Sequence, residues 1–213
     1  MYNQTKIVLS AKELELISNT DWILTKKNII KKVMDLFASL LLNMQGETKL
    51  YKSNLPAELF LKDPKIYKGE NYNDLPYVMM DYPRYFDKEK TLAIRTFFWW
   101  GNFFSVNLQL SGEIKERALP NLLEAFVLLQ KSDYWLCIND HPWEHNFNNE
   151  NYVPIRQLSF TEFNTLLNRK LFVKISKKMS VQQWDGIALF IEHTFKEMML
   201  LLKINYLNDG KDL

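Results

Sequence analysis

Apolar residues recur at helical spacing in two long stretches of the chain, with polar residues in the positions between them. In the first stretch, residues 25–44, the apolar positions are Ile29, Ile30, Val33, Phe37, Leu40, Leu41 and Met44. This spacing predicts an amphipathic helix with Thr25 as its N-cap. A shorter helix is expected before it, because Ser10 and Glu13 have the spacing of a capping box.

The second long stretch begins at Ser180 and runs to about Tyr206, again with capping-box spacing between Ser180 and Gln183. The apolar positions expected on one face of this helix are Trp184, Ile187, Ile191, Phe195, Met198 and Leu202. Two shorter helices are also predicted. One covers residues 120–130 with Pro120 in its first turn, and the other starts at Ser159, which has capping-box spacing to Glu162.

Runs of aromatic and β-branched residues bounded by turn residues predict strands. Three follow one another at residues 76–82, 91–100 and 103–111, and two more lie at 133–140 and 171–176. Residues 50–73, which contain scattered Pro and Gly, are expected to form a connecting loop. We therefore predict a single α+β domain over residues 1–213, with an antiparallel meander sheet of four to five strands and the long amphipathic helices packed mainly on one face.

The turn between the second and third of these strands is unusually rich in aromatic residues. Residues 96–105, TFFWWGNFFS, contain six aromatic rings around Gly101 and Asn102. A Gly-Asn pair between two strands predicts a two-residue type II′ turn. In that register Trp100 lies opposite Phe103 and Arg95 lies opposite Leu108.

The predicted register divides the hairpin side chains between two faces. The expected core face carries Ala93, Arg95, Phe97, Trp99, Phe104, Val106, Leu108 and Leu110. The other face carries Ile94, Thr96, Phe98, Trp100, Phe103, Ser105, Asn107 and Gln109, and is aromatic near the turn and polar further along. Either these rings are cross-strand pairs buried against helices, or this second face is an open platform for a ligand.

Arg95 is the one charge on the expected core face, and a buried charge needs a partner. A carboxylate on the neighbouring strand, Asp81, is the expected partner. The alternative is an anion-binding arginine at the floor of a pocket, with Arg84 nearby. Under the platform hypothesis the candidate ligand-binding residues are Arg95, Phe98, Trp100, Phe103, Asn107 and Gln109.

Composition and charge narrow the classes of partner. The chain has 27 basic and 25 acidic residues, a net charge of +2, so neither nucleic acid nor an anionic membrane is an expected partner. The single cysteine, Cys137, excludes an internal disulfide framework and fits a reducing compartment. Charges interrupt the N-terminal apolar runs, and no run approaches the roughly 18 residues of a membrane span, so a cytoplasmic protein is expected.

A polar segment after the fourth predicted strand, NDHPWEH at residues 139–145, is a second candidate site. Its potential metal ligands are Asp140, His141, Glu144 and His145, because imidazole and carboxylate groups suit zinc or iron. The alternative is a solvated loop whose polar side chains cap the local backbone. Pro142 permits a regular helix only if the helix starts at that point.

Residues 68–86, KGENYNDLPYVMMDYPRYF, followed by residues 94–112, IRTFFWWGNFFSVNLQLSG, resemble a block found in conserved bacterial hypothetical proteins with no assigned activity. The resemblance covers the central part of the chain. It implies a bacterial, cytoplasmic protein and carries over no catalytic residue and no cofactor.

Two functional hypotheses follow from these residues. The first is a non-enzymatic binding protein that uses the mixed hairpin face for a small molecule, a peptide or a second copy of itself. The second is a metal-assisted or acid/base enzyme centred on Asp140, His141, Glu144 and His145. The first is favoured because the sequence contains no complete catalytic motif.

Overall fold

The computed structural model describes residues 7–202 and contains one seven-stranded antiparallel sheet. The strands are β1 (Lys65–Tyr72), β2 (Leu75–Phe86), β3 (Thr91–Trp99), β4 (Phe103–Ser111), β5 (Trp135–Cys137), β6 (Tyr152–Pro154) and β7 (Phe172–Ser180). Their order across the sheet is β1-β2-β3-β4-β7-β5-β6. The first four strands form a meander, and the chain then leaves the sheet and returns so that β7 pairs with β4.

The described part of the chain also contains six α-helices: α1 (Ala11–Ser18), α2 (Thr20–Leu50), α3 (Gly112–Glu124), α4 (Phe126–Lys131), α5 (Phe160–Arg169) and α6 (Ile187–Leu201). Buried apolar residues of α2, α3 and α6 form the main core together with alternate residues of the strands. In this core the rings of Phe37 and Phe104 meet edge to face with 6.2 Å between their centroids. The predicted α+β class and the meander are confirmed. Helices α2, α3 and α6 lie on one face of the sheet.

Capping motifs in the sequence predicted the starts of α1 and α5 correctly, but the predicted start of α2 was wrong. Ser10 with Glu13, and Ser159 with Glu162, form complete capping boxes at the starts of α1 and α5. Thr25 is not an N-cap, because α2 starts at Thr20 and its cap is Asn19, whose side chain accepts a hydrogen bond from the Trp22 amide at 3.2 Å. The apolar stripe begins later than the helix, which hid the first turns of α2 from periodicity.

Two further helix predictions need correction. Pro120 lies inside α3, which starts eight residues earlier at Gly112, so it is not in a first turn. The segment after Ser180 begins with a 3₁₀ turn over Val181–Gly186, where the Ser180 hydroxyl accepts from the Gln182 amide, and α6 starts only at Ile187. The predicted end at Tyr206 lies outside the described residues.

The sheet is larger than predicted. β1 occupies part of the expected loop at residues 50–73, and β6 adds a short strand beside β5. β1 carries few apolar residues because it is an edge strand, paired on one side with β2. Strand composition alone therefore underestimates the edges of this sheet.

The hairpin between β3 and β4 has a three-residue connection instead of the predicted two-residue turn. Trp99 pairs with Phe103, and Trp100 belongs to the loop. The Asn102 amide donates to the Trp99 carbonyl at 3.0 Å, and Gly101 has a φ of +72°, as the third residue of a type II turn requires. The predicted register is therefore wrong by one residue on β4.

This shift exchanges the two faces of β4 relative to β3. Ser105, Asn107 and Gln109 lie on the same face as Phe97 and Arg95. Four apolar residues of β4 join the helix-covered core instead: Phe104, Val106, Leu108 and Leu110. The other face of the sheet is covered by an irregular segment between β5 and β6. We call residues 138–151 the cover segment.

Candidate functional site

The structure separates the six predicted ligand-binding residues into two groups. Phe98 and Trp100 lie on the helix side of the sheet. Arg95, Phe103, Asn107 and Gln109 lie on the side of the cover segment, because Arg95 pairs with Asn107 across β3 and β4. No single platform combines all six, and the two sides of the sheet carry separate groups of residues.

Arg95 is paired as expected. Its Nε lies 2.6 Å from Asp81 Oδ1 and one terminal nitrogen lies 2.9 Å from Asp81 Oδ2, a bidentate ion pair between adjacent strands. The guanidinium is 5.2 Å from the ring centre of Trp143 in the cover segment and 6.0 Å from that of Phe86. The residue is only 7% exposed, so the cation is enclosed by rings and by its carboxylate.

His145 of the cover segment lies between Arg95 and Lys174. Its Nε2 is 3.4 Å from an Arg95 terminal nitrogen, and its Nδ1 is 3.3 Å from Lys174 Nζ. The imidazole also stacks on Phe97, with 4.6 Å between ring centres. Lys174 reaches from β7 to the backbone of the cover segment, where its Nζ donates to the Pro142 carbonyl at 3.0 Å and to the Glu144 carbonyl.

Burial changes the protonation of the groups around His145. It lowers the pKa of Lys174 to about 7 and, together with the Lys174 and Arg95 cations, holds the pKa of His145 well below its usual value. The imidazole is therefore neutral at pH 7, and the Lys174 amine loses its proton as the pH rises above about 7.

The predicted metal ligands do not come together. Asp140 pairs with Lys170 at 2.9 Å, His141 is exposed, and Glu144 lies 3.4 Å from the Tyr72 hydroxyl. His145 faces two nitrogen-bearing side chains instead of carboxylates. Among residues 7–202, no group of three or more His, Cys, Asp or Glu side chains is arranged to hold a metal ion.

Several polar contacts hold the cover segment on the sheet. The Tyr72 hydroxyl accepts from the amides of His145 at 2.7 Å and Asn146 at 2.9 Å. The Tyr152 hydroxyl donates to the Glu144 carbonyl at 2.9 Å, and Lys170 Nζ donates to the Asn139 carbonyl at 2.9 Å. We call Asp81, Arg95, His145 and Lys174 the polar row. Since Lys174 and His145 are 1% and 2% exposed, the polar row is closed to reactants in this conformation.

The helix side of the hairpin offers an accessible site. Its loop and two neighbouring segments enclose an apolar groove of about 330 Å³. The groove is lined by Ile29, Phe98, Trp100, Gly101, Val181 and Trp184. Trp184 is 41% exposed, although the pattern of the last helix placed it with the buried residues, because it lies in the 3₁₀ turn ahead of α6. We call this surface the aromatic groove.

Next to the aromatic groove, the N-terminal part of the chain is apolar and uncovered. α1 buries none of its residues, and the first buried residue of α2 is Ile30. The exposed large apolar residues before that point are Ile7, Val8, Leu9, Leu14, Leu16, Ile17, Trp22, Ile23 and Leu24. We call residues 7–24 the arm. Its Trp22 contacts Trp100 edge to face, with 6.2 Å between ring centres.

The sequence contained a signal for this region that periodicity alone did not use. The predicted helix started its apolar stripe at Ile29, which left Trp22, Ile23 and Leu24 without a place in the core. Apolar residues that fit no buried stripe are expected to remain exposed, and these three are exposed in the arm.

Comparisons of the chain with protein-family models, with curated proteins and with solved structures found no match. Within residues 7–202, none of the helices combines the length and the apolar character that crossing a bilayer requires.

Proposed function

We propose that the protein is a binding protein for another polypeptide and that the aromatic groove takes an apolar helical segment of that partner. The observation that carries the proposal is a concave apolar surface lined by the exposed Trp184 and the partly buried Trp100. Tryptophan is the residue type most enriched among energetic hot spots of protein interfaces. A groove of this size accommodates two or three apolar side chains from one face of a helix.

The charge of the arm disfavours two classes of partner for the arm. The arm carries one lysine, Lys12, and three carboxylates, Glu13, Glu15 and Asp21, so its net charge is −2. An anionic membrane or a nucleic acid would be repelled by the arm, since both bind surfaces with excess lysine and arginine. A protein surface needs only shape and apolar contact at the centre of the interface.

The polar row beneath the cover segment supports binding function less well. Arg95 and Asp81 satisfy each other, and the Lys174 amine is occupied by backbone carbonyls and His145. Every one of these groups is buried. Their contacts explain how the cover segment is held, which is a structural role.

Selection from a displayed library of helical peptides tests the proposal with the intact protein. We expect apolar peptides to be enriched, to quench tryptophan fluorescence on binding, and to lose at least tenfold in affinity with Trp184→Ala. The matched control is Trp143→Ala, because Trp143 is also exposed but lies in the cover segment on the opposite side of the sheet.

Two results would contradict the proposal. One is a selection that enriches no peptide sensitive to Trp184→Ala. The other is equal loss with Trp143→Ala, which would locate binding away from the groove.

A further inference from the structure

We infer that the aromatic groove binds α1 of a second copy of this chain, so that two molecules exchange their arms about a twofold axis. The inference rests on the proposed polypeptide-binding function of the groove and names the polypeptide.

The arm has the properties that the groove requires of its occupant. Leu14 and Ile17 lie one turn apart on α1 and present neighbouring side chains on the helix surface. Both are exposed, and no part of α1 is buried in its own chain. A short helix of eight residues gains little stability by itself, so packing against a second surface is what would hold it.

The position of the arm relative to the groove permits reciprocal exchange. Trp22, at the start of α2, touches Trp100 at the rim of the groove. The arm therefore leaves the body of the protein beside the groove. A twofold axis close to Trp22 places each arm next to the groove of the other copy, because a twofold interface uses the same patch of both molecules.

The charges of the two surfaces are complementary. α1 carries Glu13 and Glu15. Ile29 lines the groove, and Lys32 lies one turn further along the exposed side of α2. An arm seated in the groove of the second copy brings its carboxylates toward this lysine at the rim of the interface, where such pairs guide association.

The apolar area is sufficient for a stable dimer. With roughly 200 Å² for a fully exposed large apolar residue, the nine exposed residues of the arm present on the order of 1,000 Å². A standard interface buries about 800 Å² on each partner. The arm therefore presents enough apolar surface for an interface of this kind, and we expect part of it to be covered in solution.

The test is the mass of the full-length protein measured by sedimentation equilibrium over a range of concentrations. We expect a dimer for the wild type, and at least a tenfold weaker dimer for an arm variant, Leu14→Glu/Ile17→Glu, and for a groove variant, Trp184→Ala. All these side chains are exposed, so the sheet and the other helices should stay folded, and the far-UV circular dichroism should lose at most the signal of the eight residues of α1. The control is Leu42→Glu, a 77% exposed position on α2 beyond both surfaces, which should remain dimeric.

Mixing the two defective variants separates arm exchange from other dimers. The groove variant keeps an intact arm, and the arm variant keeps an intact groove. An equimolar mixture therefore regains one arm-groove contact, and we expect a heterodimer that is tighter than either homodimer.

Each contrary outcome overturns the inference. A monomeric wild type does so while leaving peptide binding by the groove, which is measured separately, intact. A groove variant that remains fully dimeric shows arm-to-arm pairing instead. A mixture with no heterodimer shows that the arm and the groove do not bind each other. Loss of dimer with Leu42→Glu places the interface elsewhere.

Discussion

Lys174 is a charged residue type placed where charge is disfavoured. Its amine is buried, donates to the Pro142 and Glu144 carbonyls, and lies 3.3 Å from His145 Nδ1. The lysine therefore joins β7 to the cover segment. Above its pKa of about 7 it does so as a neutral amine.

The protonation of Lys174 makes stability depend on pH. Its folded pKa of about 7 lies below the value of about 10.4 for an unfolded lysine, so between these values the unfolded chain binds a proton that the folded chain does not. The free energy of unfolding should rise with pH in this window. We expect the slope for the wild type to exceed that for Lys174→Met by roughly 1 kcal/mol per pH unit, measured by urea denaturation between pH 7 and 9.5.

The slope must be compared with that of Lys174→Met, because titration of Cys137 changes the free energy of unfolding in the opposite direction. Burial raises the pKa of its thiol, so the unfolded chain loses that proton first as the pH rises, and stability falls. This contribution is present in both proteins and largely cancels in the difference. Equal slopes for the wild type and Lys174→Met would show that Lys174 is charged in the folded state.

The Arg95–Asp81 pair yields a second prediction for a single residue. Asp81→Asn removes the carboxylate and leaves a buried guanidinium without its counter-charge, and the free energy of unfolding should fall by about 3–5 kcal/mol. Asp133→Asn, which breaks an exposed pair with Arg156, should change it by less than about 1 kcal/mol. Urea denaturation at neutral pH measures both. Similar losses would mean that burial of the pair has no energetic consequence.

The Arg95–Asp81 contact was predictable because its two residues lie on consecutive strands of a meander. The contacts of His145 and Lys174 were not predictable in the same way. Lys174 comes from the last strand, and His145 comes from an irregular segment that no periodicity describes. The sequence therefore predicted the contact between Arg95 and Asp81. It did not predict the contact between His145 and Lys174, which are brought together only because the chain returns to the sheet after the meander.

At the scale of elements, local motifs predicted what local interactions determine. The capping boxes at Ser10 and Ser159 appear as expected. The turn at Gly101 was placed one residue too late, because Gly-Asn also fits a three-residue connection in which Trp100 belongs to the loop. One residue of register then moved Asn107 and Gln109 to the other face of the sheet.

The conformation of Gly101 gives a prediction at this scale. Its φ is +72° and nothing lies within 4 Å of the position of an added Cβ, so Gly101→Ala tests backbone strain alone. We expect the free energy of unfolding to fall by about 1–2 kcal/mol. Gly46, inside α2, also has open space, and Gly46→Ala should raise it by about 0.5–1 kcal/mol. Thermal or urea denaturation distinguishes the opposite signs, and equal effects would contradict the turn geometry.

At the scale of the whole molecule, both faces of the sheet are covered by different means. Helices cover one face with apolar contacts, and the cover segment occupies the other with hydrogen bonds from Tyr72, Lys170 and Lys174. The strands of the hairpin are therefore buried on both sides, which explains why β3 and β4 are almost entirely buried. The accessible functional surface is left at the end of the helix layer, where the arm departs.

Attachment of the cover segment through Tyr72 is testable. Tyr72→Phe removes the acceptor for the amides of His145 and Asn146. We expect faster amide hydrogen exchange in residues 138–151 and a loss of about 1–3 kcal/mol in the free energy of unfolding. The control is Tyr85→Phe, because the Tyr85 hydroxyl donates to the exposed Asp87 carboxylate at 3.4 Å and does not contact the cover segment in this hydrogen bond. Unchanged exchange would show that the segment is held without the tyrosine.

The neutral amine of Lys174 also means that this protein does not carry the same charge folded as unfolded. Counting residues gives +2 at pH 7, but above that pH the folded molecule has shed one ammonium proton that the open chain retains. At about pH 8, where the unfolded Cys137 thiol is still largely protonated, refolding in weakly buffered solution therefore acidifies the medium by up to one equivalent. The burial of a single side chain thus couples the folding of the whole chain to the acidity of its surroundings.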